Sequence, residues 1–134
     1  MDARSLSYIV DGCSGELLAG SPDAQVLRVG TDSRQALAGD LFVALAGDKF
    51  DGHSFLTDVA AKGVAAIMVD RAKLALVANL TKSVVVVAVE NTRAALGRLA
   101  ARYRADFSLP VIAVGGSNGK TTTKELLASV LRQM

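Results

Sequence analysis

Val111-Ile112-Ala113-Val114, followed by Gly115-Gly116-Ser117-Asn118-Gly119-Lys120-Thr121-Thr122-Thr123, decides how this chain is read: an apolar strand, a glycine-rich turn, then a helix. That context is what a phosphate-binding loop requires. Glycines let consecutive backbone N–H groups turn inward on phosphate oxygens, the helix N-terminus adds the positive end of its dipole, and a lysine supplies a point charge to the β- and γ-phosphates. The hydroxyl after the lysine is placed to ligate Mg²⁺. The common pattern G-x-x-x-x-G-K-[ST] would need glycine at position 114, where this chain has Val114, so the loop is shorter than the usual one. A glycine-rich turn that binds nothing is the competing reading of the same residues.

Working outward, the helix after the loop is expected to bury Leu127, Val130, Leu131 and Met134. Upstream, Thr92 is placed to cap a helix in which Leu96, Leu99, Ala100 and Tyr103 form one stripe. Arg93, Arg98, Arg102 and Arg104 lie mostly elsewhere on it, and a solvated face is the simpler account of them than an anionic ligand. A domain boundary is expected near Glu90. Before it, Leu41 to Leu45, Ala65 to Val69 and Val84 to Val89 read as buried strands, with a helix over Phe55 to Ala60 and another short one over Leu74 to Leu80. Gly15 to Leu18 and Val26 to Thr31 read as short strands around the turn at Gly20-Ser21-Pro22-Asp23. Leu6, Ile9, Val10 and Cys13 recur at helical spacing and predict an N-terminal helix. The alternation predicts an α/β fold.

The composition agrees with a globular chain. Of 134 residues, 51% are hydrophobic and 21% charged, which is ample for a core and too little charge for disorder. Fifteen Lys and Arg against thirteen Asp and Glu, with few aromatics and no Trp, disfavour general nucleic-acid binding. No apolar run approaches the ~18 residues a membrane span needs. Met1-Asp2-Ala3-Arg4 has no apolar signal region behind it, so a cytoplasmic protein is expected. One Cys and one His cannot make a metal cluster, and Cys13, in phase with Leu6 and Ile9, reads as a small core residue.

Two further loops carry polar groups. Thr31-Asp32-Ser33-Arg34 ends a strand, where hydroxyls and a carboxylate could grip a small ligand; taken alone, it is more simply a turn in which Asp32 or Ser33 bonds its own backbone. Asp51-Gly52-His53-Ser54 reads as a helix start, with the Asp51 side chain accepting from the Ser54 amide and free N–H groups pointing outward, where a pyrophosphate could sit. His53 reads as a structural hydrogen-bonder rather than a catalyst.

The shortened loop with its three threonines, Lys124 and Glu125 resembles the Mur ligases of peptidoglycan synthesis, and most of all the last-acting branch, which adds D-alanyl-D-alanine. Thr31-Asp32-Ser33-Arg34, then Gly39 to Leu45, then Phe50-Asp51-Gly52-His53, then Ala60 to Ala66, resemble the nucleotide-sugar-binding domain of the same enzymes in order and spacing. The resemblance implies a small α/β UDP-substrate-binding domain over residues 1–90, followed over 91–134 by the first strand, phosphate loop and helix of a central ATPase domain. It implies ATP and Mg²⁺ as cofactors, held by Gly116, Ser117, Asn118, Gly119, Lys120, Thr121 and Thr122, with Lys120 and Thr121 catalytic and Thr121 on the metal. For the uridine end of a UDP-N-acetylmuramoyl-peptide it implicates Thr31, Ser33, Asp48, Lys49 and Phe50, leaving Arg34 either to the phosphates or to bracing Asp32 or Asp40. The reaction implied is amide ligation to D-alanyl-D-alanine through an acyl phosphate, by a monomer of which this chain is part. Addition of the third amino acid by a related ligase, or a non-catalytic UDP-sugar-binding module, are the alternatives. Gly115 departs from the family's usual threonine.

Overall fold

In a computed structural model, residues 1–48 and 50–133 are described. Their centre is a mixed sheet of five strands in the order β2 (Glu16–Leu17), β7 (Val85–Val89), β6 (Ala66–Asp70), β5 (Asp40–Val43), β4 (Arg28–Gly30). Strands β4 to β7 run parallel and β2 closes one edge antiparallel to β7. Parallel neighbours need crossovers. One is made by the 3₁₀ turn Gly52–Phe55 and helix α2 (Leu56–Ala61), another by the 3₁₀ turn Arg71–Val77.

The apolar strands are uniformly apolar because both faces are covered. Leu41, Val43, Ala66, Met68, Val87 and Val89 pack with Leu6, Ile9 and Cys13 of α1 (Leu6–Cys13) and with Ala95 and Leu99 of α3 (Thr92–Ala105). Phe42, Ala44, Ile67, Val69 and Val86 face the other way, onto Leu56, Val59 and Val77. Cys13 is fully buried and its thiol is pushed up by desolvation, in keeping with a core residue. Among the described residues, no helix is long and apolar enough to cross a membrane.

Several expectations change. The run Val26 to Thr31 is not one strand. Gln25–Val26 (β3) pairs antiparallel with Arg4–Ser5 (β1), whereas Arg28–Gly30 pairs with β5 in the main sheet. Leu27 between them donates its amide to Gly39, so adjacent residues serve different partners, which an apolar run does not reveal. Helix α3 is capped by Asn91, whose side chain accepts from the Ala94 amide; Thr92 is the first helical residue, buried, with its hydroxyl donating to Ala44 O at 2.8 Å. That cap turns Thr92, Ala95 and Leu99 inward and leaves Ala100 exposed. The arginines of α3 are exposed, as expected of a solvated face, and also tie neighbouring segments together. Arg98 donates twice to Cys13 O (3.0 and 2.8 Å), Arg102 pairs with Asp106 at 2.6 Å, and Arg104 holds Phe107 O and Leu109 O.

Val111 to Val114 form no strand. Val111 and Ile112 are 68% and 59% exposed, and among the described residues no strand lies alongside to take their backbone hydrogen bonds. Helix α4 (Lys120–Leu131) forms as expected but buries no residue: Leu127 is half-buried, Val130 and Leu131 are exposed, and Met134 lies outside the described residues.

Because Leu99 packs between α1 and the sheet, Leu99→Ala is expected to cost about 2–5 kcal/mol in denaturant unfolding. For the same reason a chain ended after Glu90 should lose its cooperative transition while one ended after Phe107 keeps it. A cooperative transition with an unchanged midpoint in the shorter chain would show that α3 adds nothing to this core.

Candidate functional site

The sheet delivers its loops at the C-terminal ends of the parallel strands, where ligands of open α/β folds bind. After β4, Asp32 caps the 3₁₀ turn Ser33–Gln35 by accepting the Arg34 amide at 3.0 Å. The same carboxylate takes Arg34 Nε at 2.9 Å and Nη2 at 2.7 Å. Those hydrogen bonds hold the Asp32 carboxyl to about 2, well below its ordinary 3.8. Lys62, just past α2, crosses over and donates to Ser33 O at 2.7 Å and Arg34 O at 3.3 Å. Arg34 therefore braces Asp32. Asp40 belongs instead to Arg28, which donates to both its carboxylate oxygens at 3.1 and 2.7 Å, so that the buried acid stays well ionised.

The loop after β5 closes on itself. Gly47 N donates to Phe50 O at 2.9 Å and Gly52 N to Leu45 O at 2.8 Å. Gly52 has to be glycine here, because a Cβ would stand 2.9 Å from Leu45 N. The sequence reading expected open amides at Asp51-Gly52-His53-Ser54, and this is corrected. The Asp51 side chain accepts from the His53 amide rather than that of Ser54, the Ser54 amide donates to Asp51 O, and Gly52 N is already spent. The tight 3₁₀ turn consumes the donors that an α-helical start would leave free.

Between the two loops lies a cleft of about 420 Å³ lined by Thr31, Asp32, Ser33 and Arg34 on one side and by Leu45, Phe50 and Phe55 on the other, with Phe42 and Gly52 also contributing. A smaller polar cleft of about 300 Å³ adjoins it over Gly30, Gln35 and the Arg28–Asp40 pair, sharing Thr31, Asp32 and Phe42. Thr31, Ser33 and Phe50 thus line one cleft. Phe50 is 77% exposed, so its ring is free to meet a flat partner. Asp48 is exposed in the same loop but does not line the cleft, and Lys49 lies outside the described residues. Leu45 and Phe55 were read as strand and helix core; Lys62 carried no signal at all, being far along the chain from the loop it secures.

The second site is the loop before α4. Gly116 and Gly119 adopt φ of 134° and 75°, the left-handed region that glycine favours. Among the described residues, the amides of Ser117, Asn118 and Gly119 donate to no backbone carbonyl, and Thr121 and Thr122 stand exposed on the first turn of α4. Lys120 Nζ bends back to donate to Gly116 O and, at 3.4 Å, to Ser117 O. Gly115 has open space where a side chain would project. No group of three His, Cys, Asp or Glu among the described residues could hold a metal.

Residues 25–104 match the Mur ligase family, catalytic domain, and the chain belongs to the Mur ligase family. It is 44% identical over 84% of its length to the UDP-N-acetylmuramoyl-tripeptide–D-alanyl-D-alanine ligase of Synechocystis, of which that match is 24%. The whole chain superposes with TM-score 0.86 and 34% identity on 29% of the UDP-N-acetylmuramoylalanyl-D-glutamyl-2,6-diaminopimelate–D-alanyl-D-alanyl ligase from Acinetobacter baumannii. MurF ligase from Thermotoga maritima, solved with ADP, matches 79% of the chain with TM-score 0.68 and 36% identity, over 23% of its own length. The chain spans about a quarter of the length of the curated relatives it matches.

Because its carboxylate is lowered chiefly by Arg34, Asp32 should titrate near about 2 in a carboxyl NMR experiment, and Arg34→Gln should move the midpoint up toward 3.8. The stabilisation that goes with this depressed value is present above 3.8 and lost as pH falls through about 2. A midpoint that stays put in Arg34→Gln would remove the arginine as its cause.

Proposed function

We propose that this chain is the uridine-binding domain and phosphate loop of an ATP-dependent amide ligase that joins D-alanyl-D-alanine to a UDP-N-acetylmuramoyl-tripeptide. The observation that carries the reading is the presence on one chain of two separate pieces. One is a cleft pairing hydroxyls of Thr31 and Ser33 with the exposed Phe50 ring; the other is a glycine loop with unspent amides in front of a helix. The relatives' names give the reaction, and the same activity is carried over to this chain as part of the proposal.

In the cleft, Ser33 can both donate to and accept from a uracil edge or ribose hydroxyl, and Phe50 can lie against the base. Arg34, tethered by Asp32 at the cleft wall, is the cation available to a diphosphate. Asp48 and Lys49 complete the second loop in this reading. At the other site the residues present fit a nucleotide triphosphate. Amides from Gly116 to Gly119 stand ready for phosphate oxygens, and Lys120, now spent on the Gly116 and Ser117 carbonyls, can be released to the β- and γ-phosphates. The Thr121 hydroxyl would hold Mg²⁺, and Thr122 the phosphates nearer the nucleoside. ATP and Mg²⁺ together would supply the phosphoryl group that activates the substrate carboxylate and the charge that steadies its transfer. The substrate-binding unit in this reading ends with α3 rather than at Glu90, since α3 shares its core. A cytoplasmic monomer whose partners are its substrates completes it.

Titrating the 134-residue chain with UDP and with ADP while following amide shifts tests both halves. UDP is expected to move Ser33 and Phe50, and ADP to move residues from Gly116 to Thr122. UDP shifts confined to the phosphate loop would overturn the cleft assignment. In a full-length ligase carrying this segment, Lys120→Ala should abolish ligation, a loss of roughly several kcal/mol of transition-state stabilisation. Near-normal turnover would overturn the loop assignment.

A further inference from the structure

The cleft's second loop is fastened from behind by a histidine that does not line the cleft. His53 is 3% exposed, and its two ring nitrogens are spent in opposite directions. Nδ1 lies 2.6 Å from Asp51 Oδ1, while the Asp70 amide points at Nε2 from 3.1 Å. A backbone amide can only donate, so Nε2 accepts, and the ring proton sits on Nδ1, where it donates to Asp51. Asp51 is also held by its own turn, accepting the His53 amide at 3.0 Å, and by Lys73, which donates to the other carboxylate oxygen. The hydrogen bond from Lys73 is the main cause that holds the Asp51 carboxyl well below the usual carboxylate range.

The chain of bonds continues past the histidine. Asp70, at the end of β6, accepts the Thr92 amide at 2.7 Å, and the Thr92 hydroxyl donates to Ala44 O at 2.8 Å. Arg93 adds a bond to Ala46 O at 3.3 Å. The circuit therefore begins at Asp51, where the loop ends, and returns through β6 and α3 to Ala44, where the loop begins. Both roots of the loop are tied to the sheet, and Asp48 and Phe50 stand exposed between them.

We infer that His53 is a positioning residue for the ligand cleft: it cross-links the root of the Phe50 loop to the end of β6 and so presets Phe50 opposite Thr31 and Ser33. This rests on the cleft being the uridine site. The geometry also says which half of the imidazole matters. The Nδ1 bond is local, two residues away, whereas the Nε2 bond spans seventeen residues and is the one that joins loop to strand.

Glutamine and asparagine separate the two. A glutamine oxygen can reach toward the Asp70 amide as Nε2 does; an asparagine is long enough only for Asp51. In the 134-residue chain, His53→Asn is expected to speed hydrogen exchange at Gly47 and Gly52 and to weaken UDP binding about five-fold, the worth of roughly one hydrogen bond. His53→Gln should recover most of both, with amides of β6 and β7 unchanged throughout. Unaltered exchange at Gly47 and Gly52 in His53→Asn, or glutamine no better than asparagine, would overturn the inference. Should His53→Asn also free the sheet amides, His53→Gln decides: restored protection at Gly47 and Gly52 supports the inference, and loss equal to that in His53→Asn overturns it. If the loop loosens but the wild-type chain shows no UDP binding, the fault lies with the uridine reading and the cross-link itself stands.

Discussion

Four parallel strands with both faces covered set the terms for everything else in this molecule. Parallel pairing obliges each strand to be reached by a crossover, and burial on two sides obliges the crossovers and helices to divide between the faces. Here α1 and α3 cover one face, and α2 with the 3₁₀ turns covers the other. The same constraint gathers the strand-to-turn connections at the C-terminal ends of β4, β5 and β6, which is where Thr31, Ser33, Phe50 and Asp70 are found. The cleft is thus a consequence of the sheet's direction and not of any separate element.

Polar groups then shape what the sheet positions. Asp32 with Arg34, Asp40 with Arg28, and Asp51 with His53 and Lys73 each tie a carboxylate to a cation or ring within or beside one of the loops. The exposed Arg34–Asp32 pair adds little stability, commonly no more than ~1 kcal/mol. The effect of all three ties is conformational: they use up the donors and acceptors that would let the loops take other shapes. Lys62 does the same from a distance by donating to two backbone carbonyls of the first loop. A cleft whose walls are already held needs less ordering when a ligand arrives, which is where preorganisation raises affinity.

The phosphate loop contrasts with this. Its glycines, hydroxyls and lysine stand exposed, and α4 buries no residue fully, Leu127 and Ala128 being half-buried. Arg104, holding the carbonyls of Phe107 and Leu109, is the last firm tie between the packed unit and this segment. The chain thus carries a cleft whose walls are held by long-range bonds and a glycine loop whose lysine bonds locally.

The amino-acid sequence by itself determined whatever depends on neighbours along the chain: the α/β order, the apolar strands of the main sheet, and the N-terminal helix with Cys13 inside. Thr31, Ser33 and Phe50 were singled out through resemblance more than through residue pattern, and the fold places all three on one cleft. Only the tertiary structure decided the rest. Val26 and Arg28 joined different sheets, and Asn91 displaced Thr92 as a cap. The amides after Asp51 proved to be spent, and among the described residues Val111 to Val114 had no strand to pair with. Lys62 and the His53 ring became fasteners for loops they do not belong to. Lys62 and His53 meet their partners twenty-nine and seventeen residues away, while the cap and the spent amides turn on which of several near neighbours the closed chain brings into reach. Local periodicity records only which face is apolar, so such partners become visible when the chain has closed on itself.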